Sequence, residues 1–460
     1  MRQRFRIVWR FYELILLLLV FVIGGVGFVS VAVAEQVQNG ADPEPFIRPA
    51  LLPVLVIAAA FLAIHAALSI RKITFEQTLL PVTALLFVIG ATMIWRLRGT
   101  DGIAQQFTRG LIPGALIAIG LVAWPRSIEH LRRLSVPVGL IGLGLLILTG
   151  AFGVEDETGA RLALKIGPLP PVQTSEIIKV ALIVFLAWYI EHEGRAAEGR
   201  AHTLLWFRLP ALRYLAPAAL FVGAATLALV AMSDYGAVLI LAILFVAMLY
   251  TGFETRIFVT ISALGLALAL LVGLILNHTW EIPATIRYRY LAFQNPWSSE
   301  LMPNGITIAE GPGYQIQQAI YAIIAGGVTG AGLGLGTPYF IPLAHSDFIL
   351  AAIIEEMGSA VGIAVLVLYA VIVMRIVRVA LLLPREQIFE RLLLVGIAVH
   401  LFSQVFIMAG GTFNLFPLTG VTLPFLSLGG VALLVNLVEI GLVLAVMQRV
   451  QQFQHERWTV

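Results

Sequence analysis

The segment PLAHSDFILAAIIEEMG, residues 342–358, sets a histidine, an aspartate and two glutamates at the head of a long apolar run. The run continues as SAVGIAVLVLYAVIVM before the next charged residue, Arg375. An ionisable side chain at the centre of a bilayer costs about 2.5–3.5 kcal/mol on insertion scales, so such residues usually have a function or a partner. The segment therefore predicts a membrane-spanning helix whose acids have a specific task.

The composition places the rest of the chain in the membrane class as well. Of 460 residues, 60% are hydrophobic and 12% are charged, whereas a soluble domain is about one quarter charged. Cysteine is absent, which excludes disulfides, thiol catalysis and cysteine-bound metals. The net charge is +3, but no block of arginine and lysine indicates a nucleic-acid partner, and none is expected.

Twelve apolar stretches are long enough to cross a bilayer, which takes about 20 residues. They cover residues 11–34, 50–70, 78–95, 108–124, 135–153, 173–190, 212–231, 235–253, 256–277, 347–374, 390–410 and 424–447. Most of the 29 lysines and arginines lie in loops on one side, which the positive-inside rule makes cytoplasmic. The predicted fold class is an all-α, polytopic transmembrane bundle with both termini in the cytoplasm. The first stretch exceeds a signal-peptide core, which favours an uncleaved anchor.

One connection, residues 278–346, is far longer than the others and is predicted to lie outside the cell. It contains YQIQQAIYAIIAGGVTGAGLGLG, an amphipathic stretch that ends in a run of glycines. We expect a re-entrant or interfacial helix here, because long ordered loops in compact proteins are usually functional. The glycines follow no β-strand, so they do not form a dinucleotide-binding turn, and a flexible hinge is the favoured interpretation.

Polar residues interrupt the apolar stretches in a few places. Gln173, Glu176 and Lys179 are three apart, which puts them on one face of a predicted helix. They form either a functional group or a Glu176–Lys179 pair that neutralises itself. Asp347 stands where the long loop enters a span, and it is either functional or a helix N-cap.

Other acids have simpler interpretations. Asp234, in a short outer turn, is expected to be a helix N-cap. Glu355 and Glu356 are expected to hold the helix bundle together, because buried acids need partners. Lys179 and Asp347 are both predicted near the extracellular face on different helices. If they meet, each reduces the burial cost of the other, and a charged cavity opens outward.

The polar segments resemble the signatures of the SEDS family, which includes FtsW, RodA and SpoVE. These segments are ETGARLALKIGPLPPVQTSEIIKVALIVFLAWYI, PLAHSDFILAAIIEEMG and FNLFPLTGVTLPFLSLGGVALLVN, together with the loop RYRYLAFQNPW…GYQIQQAIYAIIAGGVTGAGLGLG. The resemblance runs over residues 76–450, with the large loop at 278–346 inside it and a cytoplasmic tail at 451–460. Family members usually have ten spans, so residues 1–75 would add two helices. The chain departs from the family pattern at Leu162, Thr174, Leu343, Ser346 and Leu428, among others.

The resemblance implies a peptidoglycan glycosyltransferase that polymerises lipid II, a lipid-diphosphate-linked disaccharide, at the outer membrane face. It also implies a class B penicillin-binding protein as partner, for cell elongation or division. A carboxylate is needed to take a proton from the attacking sugar hydroxyl, and position and resemblance assign this role to Asp347. Glu176 would orient Lys179 or tune Asp347.

The departing diphosphate needs a cation. The candidate residues are Lys179, Arg161, Arg287 and Arg289, and a divalent ion at Asp347, Mg²⁺ or Mn²⁺, could do the same work. No metal-ligand cluster is visible in the sequence. The further candidates for substrate contact are Gln173, Ser175, His345 and Ser346. His345 is expected to be exposed at the end of the long loop.

Two other classes of function stay open at this stage. A transporter that flips lipid II would also have many spans, a charged cavity and broken helices, although the sequence shows no inverted repeat. A scaffold that only recruits the transpeptidase would leave the outward-facing charges without explanation. A purified protein that makes glycan strands in detergent, where a flippase has no measurable product, would separate these alternatives.

Overall fold

A computed structural model describes residues 10–154, 162–165, 167, 171–199, 202–204, 207–209, 212–252 and 284–458. In the first half of the chain the helices are α1 Phe11–Gln38, α2 Glu44–Ile70, α3 Leu79–Gln106, α4 Ile112–Ala123, α5 Ser127–Arg133, α6 Ser135–Phe152, α7 Thr174–Gly199, α8 Leu212–Ala231 and α9 Tyr235–Gly252. In the second half they are α10 Ala284–Gln294, α11 Pro312–Gly326, α12 Ile349–Leu382, α13 Ile388–Thr412 and α14 Gly430–Trp458.

Short irregular elements connect these helices. A π-helical turn, Phe107–Leu111, joins α3 to α4, and a 3₁₀ turn, Pro338–Phe340, precedes α12. Two small antiparallel hairpins are present, β1 Ala163–Leu164 with β2 Val172–Gln173 and β3 His202–Leu204 with β4 Phe207–Leu209. Neither hairpin was predicted, because strands of two or three residues leave no periodic signal in a sequence.

Eight helical segments of the described ranges are long and apolar enough to cross a membrane. They are Phe11–Gln38, Glu44–Ile70, Leu79–Ala123, Ser135–Phe152, Tyr235–Gly252, Ile349–Leu382, Ile388–Thr412 and Gly430–Gln451. The predicted all-α, polytopic membrane fold is therefore confirmed. The span predicted at 256–277 lies outside the described residues, and the count of twelve and the cytoplasmic termini stay predictions.

The third of these segments combines two predicted spans, 78–95 and 108–124. Helical structure continues through the residues between them, interrupted at Gly99, where φ is +57° and ψ is −149°. This left-handed backbone favours glycine, because it has no Cβ to clash. The π turn then adds an extra residue to the helical register before α4 begins, as π-bulges do.

The chain divides into two compact units, and each is described by itself. The first unit contains Met1–Ile128, Tyr314–Arg375 and Gln404–Val460, and the second contains Glu129–Gly313 and Ile376–Ser403. In the first unit α1 packs on α2 and α3, and α4 packs on α14. Small residues allow this close approach: a Cβ at Gly114 of α4 would lie 2.9 Å from the Cβ of Leu437 in α14.

In the second unit α7 packs between α6, α8 and α9. Phe185 of α7 stacks on Phe221 of α8 with ring centroids 4.5 Å apart. Ala181 of α7 lies close to α6, because a Cβ added at Gly142 of α6 would be 2.6 Å from the Cβ of Ala181. This packing fixes α7, whose first two turns carry three of the predicted site residues, Ser175, Glu176 and Lys179.

The long outer loop is largely helical where it is described. The predicted interfacial stretch forms α11, which is 15 residues long, shorter than the roughly 20 residues that cross a bilayer. As predicted, this helix ends where the glycines begin, at Gly326. An additional helix, α10, lies earlier in the loop and was not expected, because its sequence ATIRYRYLAFQ has no clear apolar face.

Candidate active site

The predicted catalytic aspartate, Asp347, lies at the end of a tight turn in the first unit. It is half-buried, and α12 begins after it at Ile349, so the span starts slightly later than predicted. The backbone N–H groups of Ser346 and Phe348 both donate to the carbonyl oxygen of Leu343, at 3.0 and 3.3 Å. Leu343 itself has a φ of +57°, a conformation that costs free energy for a residue with a Cβ. The turn therefore needs contacts from outside to hold it.

A glycine lies directly beside the carboxylate of Asp347. A Cβ at Gly420 would be 3.7 Å from the Oδ2 atom of Asp347, which is van der Waals contact. Gly420 has a φ of +74°, so its backbone also favours glycine at this position. The carboxylate thus borders glycine backbone on this side.

The segment before α14 holds the turn through its backbone. The N–H of Leu428 donates to the carbonyl oxygen of His345 at 2.8 Å. The hydroxyl of Ser427 donates to the carbonyl oxygen of Ser346 at 2.7 Å and accepts from the N–H of Leu423 at 2.9 Å. The second and third SEDS-like segments therefore meet immediately next to Asp347.

His345 was expected to be exposed at the end of the loop, and this expectation is wrong. The side chain is half-buried because the turn folds it against its surroundings. Burial lowers the pKa of the His345 imidazole, and the positive charge of Arg98 lowers it further. The imidazole is therefore neutral at neutral pH, which suits it to hydrogen bonding rather than to neutralising a phosphate.

Glu355 and Glu356 bind the glycine-rich run, residues 326–336, and Thr337, which follows it. The Glu355 carboxylate accepts from the backbone N–H and the hydroxyl of Thr337, at 2.8 and 3.1 Å. The Glu356 carboxylate accepts from the N–H of Gly334 at 2.8 Å and from the Nε of Arg96 at 3.1 Å. Both acids thus have the partners that burial requires, and they join α12 to the outer loop and to α3.

The glycine-rich run also pairs with α12 where this helix is broken. Gly358 has φ +86° and ψ +162°, and a Cβ there would be 2.1 Å from the carbonyl oxygen of Val328. The N–H of Ser359 donates to the carbonyl oxygen of Gly327 at 2.9 Å. The glycines therefore permit two backbones to pack closely and bond to each other. The interpretation of this run as a flexible hinge stays a prediction.

In the second unit the first two turns of α7 carry a buried ion pair. The Nζ atom of Lys179 is 2.8 Å from the Oε2 atom of Glu176, and both side chains are almost completely buried. Ser175, also buried, has a hydroxyl with no hydrogen-bond partner among the described residues. The sequence predicted this pair from its spacing, and the contact is present.

The sequence predicted Gln173 on the same helix face as Glu176 and Lys179, and this prediction is wrong. The helix α7 begins at Thr174, and Gln173 pairs with Ala163 in the small β1–β2 hairpin. The run of prolines just before it favours extended backbone rather than a helix. Arg161, one of the predicted phosphate-binding cations, lies outside the described residues.

The remaining predicted residues lie on helix starts and on the outer loop. Asp234 accepts a hydrogen bond from the N–H of Ala237 at 3.0 Å, which is the geometry of a helix N-cap for α9. Arg287 on α10 is exposed and lies 3.8 Å from Glu300, while Arg289 is partly exposed. Both arginines can therefore reach a ligand from the loop.

The predicted contact between Lys179 and Asp347 stays a prediction. Lys179 belongs to the second unit and Asp347 to the first, and each site is described within its own unit. Within the first unit, the sequence did not single out Gln106, Arg96, Gly420 or Ser427, which surround the turn or its supports. Arg96 and Gln106 had a signal, since both are polar residues next to apolar runs, but their partners are far away in sequence.

Comparison with known proteins places the chain in a family. The model of the cell cycle protein family of FtsW, RodA and SpoVE matches residues 70–452. The peptidoglycan glycosyltransferase RodA of Mycobacterium tuberculosis is 30% identical over 436 residues, which cover 92% of this chain and 87% of that protein. A probable peptidoglycan glycosyltransferase FtsW of Thiomicrospira cyclica is 33% identical over 313 residues, 67% of this chain and 73% of that protein.

Solved structures agree with these relatives. A chain from a structure on the coordination of polymerization and crosslinking by a peptidoglycan synthase complex matches with a TM-score of 0.64 and 26% identity. This match covers 82% of the present chain and 99% of the other. RodA of Thermus thermophilus matches with a TM-score of 0.54 and 25% identity, over 81% and 96% of the two chains. The chain belongs to the FtsW, RodA and SpoVE family, so the predicted SEDS membership is confirmed, and it is a multi-pass protein of the bacterial cytoplasmic membrane.

Proposed function

We propose that this peptidoglycan glycosyltransferase polymerises lipid II into glycan strands at the outer face of the cytoplasmic membrane, with Asp347 as its general base. The glycosyltransferase class rests on family membership and on the named relatives. The observation that carries the role of Asp347 is its position. It is a half-buried carboxylate beside glycine backbone, in a turn held by the segment before α14.

The reaction would be a single in-line displacement. The 4-hydroxyl of the acceptor N-acetylglucosamine attacks the anomeric carbon of the donor N-acetylmuramic acid and forms the new C–O bond. The bond from that carbon to the diphosphate breaks, its electron pair goes to the phosphate oxygen, and the α-linkage becomes a β-linkage. Asp347 accepts the proton of the hydroxyl as the attack proceeds, a contribution typically worth about 10²–10⁴-fold.

Cations would stabilise the diphosphate as it leaves. Lys179 is proposed for this role with Glu176 orienting it, since the two are already paired at 2.8 Å. Arg287 and Arg289 on α10, together with Arg161, are proposed to contact the phosphates, because arginine binds phosphate in a bidentate way. We further propose that Gln173, Ser175, His345 and Ser346 contact the substrate.

A divalent cation, Mg²⁺ or Mn²⁺, is compatible with this site. No group of three or more histidines, aspartates or glutamates able to hold a metal occurs among the residues that the structure describes. Mg²⁺ is commonly held by one or two carboxylates plus substrate phosphates rather than by a cage of protein ligands. Asp347 fits such a role, and the ion would then neutralise charge on the diphosphate.

The proposed partner is a class B penicillin-binding protein, which would crosslink the strands. This proposal is supported by the similarity to a chain of a peptidoglycan synthase complex that coordinates polymerization and crosslinking. The two curated relatives described above are both named glycosyltransferases, which gives no support to the flippase alternative.

The decisive experiment uses the purified protein with its transpeptidase in detergent, supplied with lipid II. We expect the unaltered protein to produce glycan strands and Asp347→Asn to lose at least about 100-fold in rate, because the amide cannot accept the proton. The readout is the amount and length of the strands on a gel.

A matched aspartate controls for loss of charge alone. Asp234→Asn keeps the N-cap, since asparagine caps a helix about as well as aspartate, and should polymerise at the normal rate. If Asp347→Asn polymerises normally, Asp347 is not the base. If the unaltered protein makes no strands in detergent but moves lipid II across vesicles, the protein is a flippase.

A further inference from the structure

The turn that carries Asp347 is held by one side of a short segment, residues 423–429, in the same unit. As described above, Ser427 and Leu428 bind the carbonyl oxygens of Ser346 and His345, at 2.7 and 2.8 Å. These are the two residues immediately before Asp347. The position of this segment therefore sets the position of the backbone that leads into the carboxylate.

Two buried side chains hold the segment 423–429. The Tyr369 hydroxyl donates to the carbonyl oxygen of Pro424, and Gln106, at the end of α3, binds the residues nearest the turn. The Gln106 Nε2 atom donates to the carbonyl oxygen of Ser427 at 3.0 Å. The Gln106 Oε1 atom accepts from the backbone N–H of Gly429 at 3.1 Å. Gln106 is 0% exposed, so no solvent competes for these bonds.

The primary amide of Gln106 meets both requirements. One backbone group to be satisfied is an acceptor and the other is a donor, and the asparagine and glutamine side chains present both kinds of atom at one end. Gln106 directly precedes the π turn Phe107–Leu111, and such turns change which way the neighbouring side chains point. The local irregularity of the helix is thus next to the residue that binds the segment.

Both backbones in this contact are strained, which is why they need support. Leu343 in the turn has a φ of +57°, and Phe425 in the segment has a φ of +66°. A residue with a Cβ stays in this left-handed conformation only when surrounding contacts hold it there. Without the contacts to Gln106 and Ser427, each backbone could relax to an ordinary conformation and carry Asp347 with it.

We propose that Gln106 is a positioning residue for glycosyl transfer, acting through Ser427 on the backbone of His345 and Ser346. This inference rests on the proposed function, since it takes Asp347 as the base. Gln106 is buried, and among the described residues its amide hydrogen-bonds to the segment 423–429, so it positions the carboxylate and does not contact the substrate. A misplacement of about 1 Å at a reacting group can cost on the order of 10²-fold in rate, so even a small shift should be measurable.

The first test replaces the amide with an apolar side chain of similar length. We expect Gln106→Leu to lower kcat for lipid II polymerisation about 10- to 100-fold, while KM changes less than about threefold. A protein that is merely less stable would lose active molecules in proportion, which a melting curve of the same sample would show.

A second buried glutamine provides the matched control. Gln404 on α13 is also 0% exposed, and neither amide atom has a partner among the described residues. Gln404→Leu removes a buried amide that binds neither the turn nor the segment, so kcat should stay within about twofold of normal. An equal loss in both variants would overturn the proposal.

The connection through Ser427 gives a second, independent test that does not need Gln106→Leu to fold. Ser427→Ala removes the hydroxyl and should lower kcat, whereas Ser427→Thr keeps the hydroxyl and should restore most of it. In a double variant, Gln106→Leu with Ser427→Ala should be no slower than the slower single variant, because contacts in one chain of interactions are not additive. Effects that multiply would mean that the two residues act separately, and the proposed connection would be wrong.

The remaining outcomes separate this inference from the proposed function. If the unaltered protein polymerises lipid II and Asp347→Asn does not, the proposed function stands, and a normal kcat in Gln106→Leu overturns this inference alone. A raised KM at unchanged kcat also overturns it, since it would place Gln106 in substrate binding. If Asp347→Asn polymerises normally, both the base and the residue proposed to position it are wrong.

Discussion

At the scale of the residue, the buried ion pair of Glu176 and Lys179 allows two explanations that a variant series can separate. The pair is almost completely buried, and its atoms are 2.8 Å apart. Removing one member of a buried pair leaves an uncompensated charge and costs roughly 3–5 kcal/mol, whereas removing both is often close to neutral. A measurement of stability therefore tests whether the ion pair has a structural role, and a measurement of activity tests whether Lys179 takes part in the reaction.

We expect Lys179→Met to lower both the thermal stability and the polymerisation rate, because Glu176 loses its counter-ion and the diphosphate loses a cation. The double variant Lys179→Met with Glu176→Gln should recover most of the stability but none of the activity. The measurements are a melting curve in detergent and the rate with lipid II. If the double variant also regains its activity, the pair is structural and Lys179 has no part in the reaction.

Local sequence spacing predicted this pair but not the partners of the second acidic site. Glu176 and Lys179 are three residues apart on one helix, and such neighbours face each other. Glu356 meets Arg96 across 260 residues of sequence, and no periodicity connects them. Gln106 could not be predicted for the same reason, because its partners are more than 300 residues away in sequence.

At the scale of the element, α12 is two helices joined at a break. After Gly358, the piece from 359 to 382 is about 36 Å long at 1.5 Å per residue, which is enough to cross the roughly 30 Å core of a bilayer. The preceding piece, from Ile349, carries Glu355 and Glu356 and is bound to the glycine-rich run. The acids therefore stand at a junction of backbones and not in the middle of the crossing helix.

Hydropathy predicted the existence of α12 because its apolar residues fill a bilayer, yet it gave no sign of the break. A single glycine within an apolar helix is common, and the partner that demands it here is the carbonyl oxygen of Val328, 30 residues earlier. Gln173 shows the same limit at the start of α7. The spacing of Gln173, Glu176 and Lys179 fitted a helix, but Gln173 pairs with Ala163 in a hairpin that ends just before α7 begins.

The break predicts a strong penalty for a side chain at Gly358. Gly358→Ala would place a Cβ 2.1 Å from a backbone oxygen at a φ of +86°, so the glycine-rich run must separate from α12. We expect the free energy of unfolding to fall by at least about 2 kcal/mol, given the 1–3 kcal/mol that such strain alone costs. The melting temperature in detergent measures this change.

A lipid-facing glycine controls for the substitution itself. Gly120 on α4 is exposed, and a Cβ there would meet nothing within 4 Å. Gly120→Ala should be neutral or slightly stabilising, since alanine is the better helix former. If Gly358→Ala has the same melting temperature as Gly120→Ala, α12 and the glycine-rich run do not depend on each other.

At the scale of the whole molecule, the first two helices are integral to the first unit. The family model begins at residue 70, after α1 and α2, so these helices are an addition to the family core. The sequence predicted two additional spans but gave no reason for them. The C-terminal end of α1 contacts the glycine-rich run, where the Gln38 amide donates to the carbonyl oxygen of Gly334 at 3.2 Å.

A buried cluster of charges connects the other end of these helices to the core. The carboxylate of Glu13 accepts from the Nε of Arg10 at 3.0 Å and lies 2.6 Å from the Nδ1 of His65. The same arginine donates to the backbone carbonyl oxygens of Ile73 and Glu76. The contacts of α1 with α2 and with residues 73–76 thus depend on the carboxylate of Glu13. Without it, Arg10 would be buried with no counter-ion among these contacts.

This dependence predicts that a single isosteric change loosens both additional helices. In Glu13→Gln the charge of Arg10 has no carboxylate beside it, and the loss of one partner of a buried pair costs roughly 3–5 kcal/mol. We expect a lower melting temperature and faster hydrogen exchange in α2 and at residues 73–76.

Glu35→Gln, on the exposed C-terminal part of α1, is the control and should change the free energy of unfolding by less than about 0.5 kcal/mol. The double variant Glu13→Gln with Arg10→Met should regain much of the stability. If Glu13→Gln instead melts and exchanges like Glu35→Gln, the first two helices are held by lipid-facing packing alone and the buried charges are incidental.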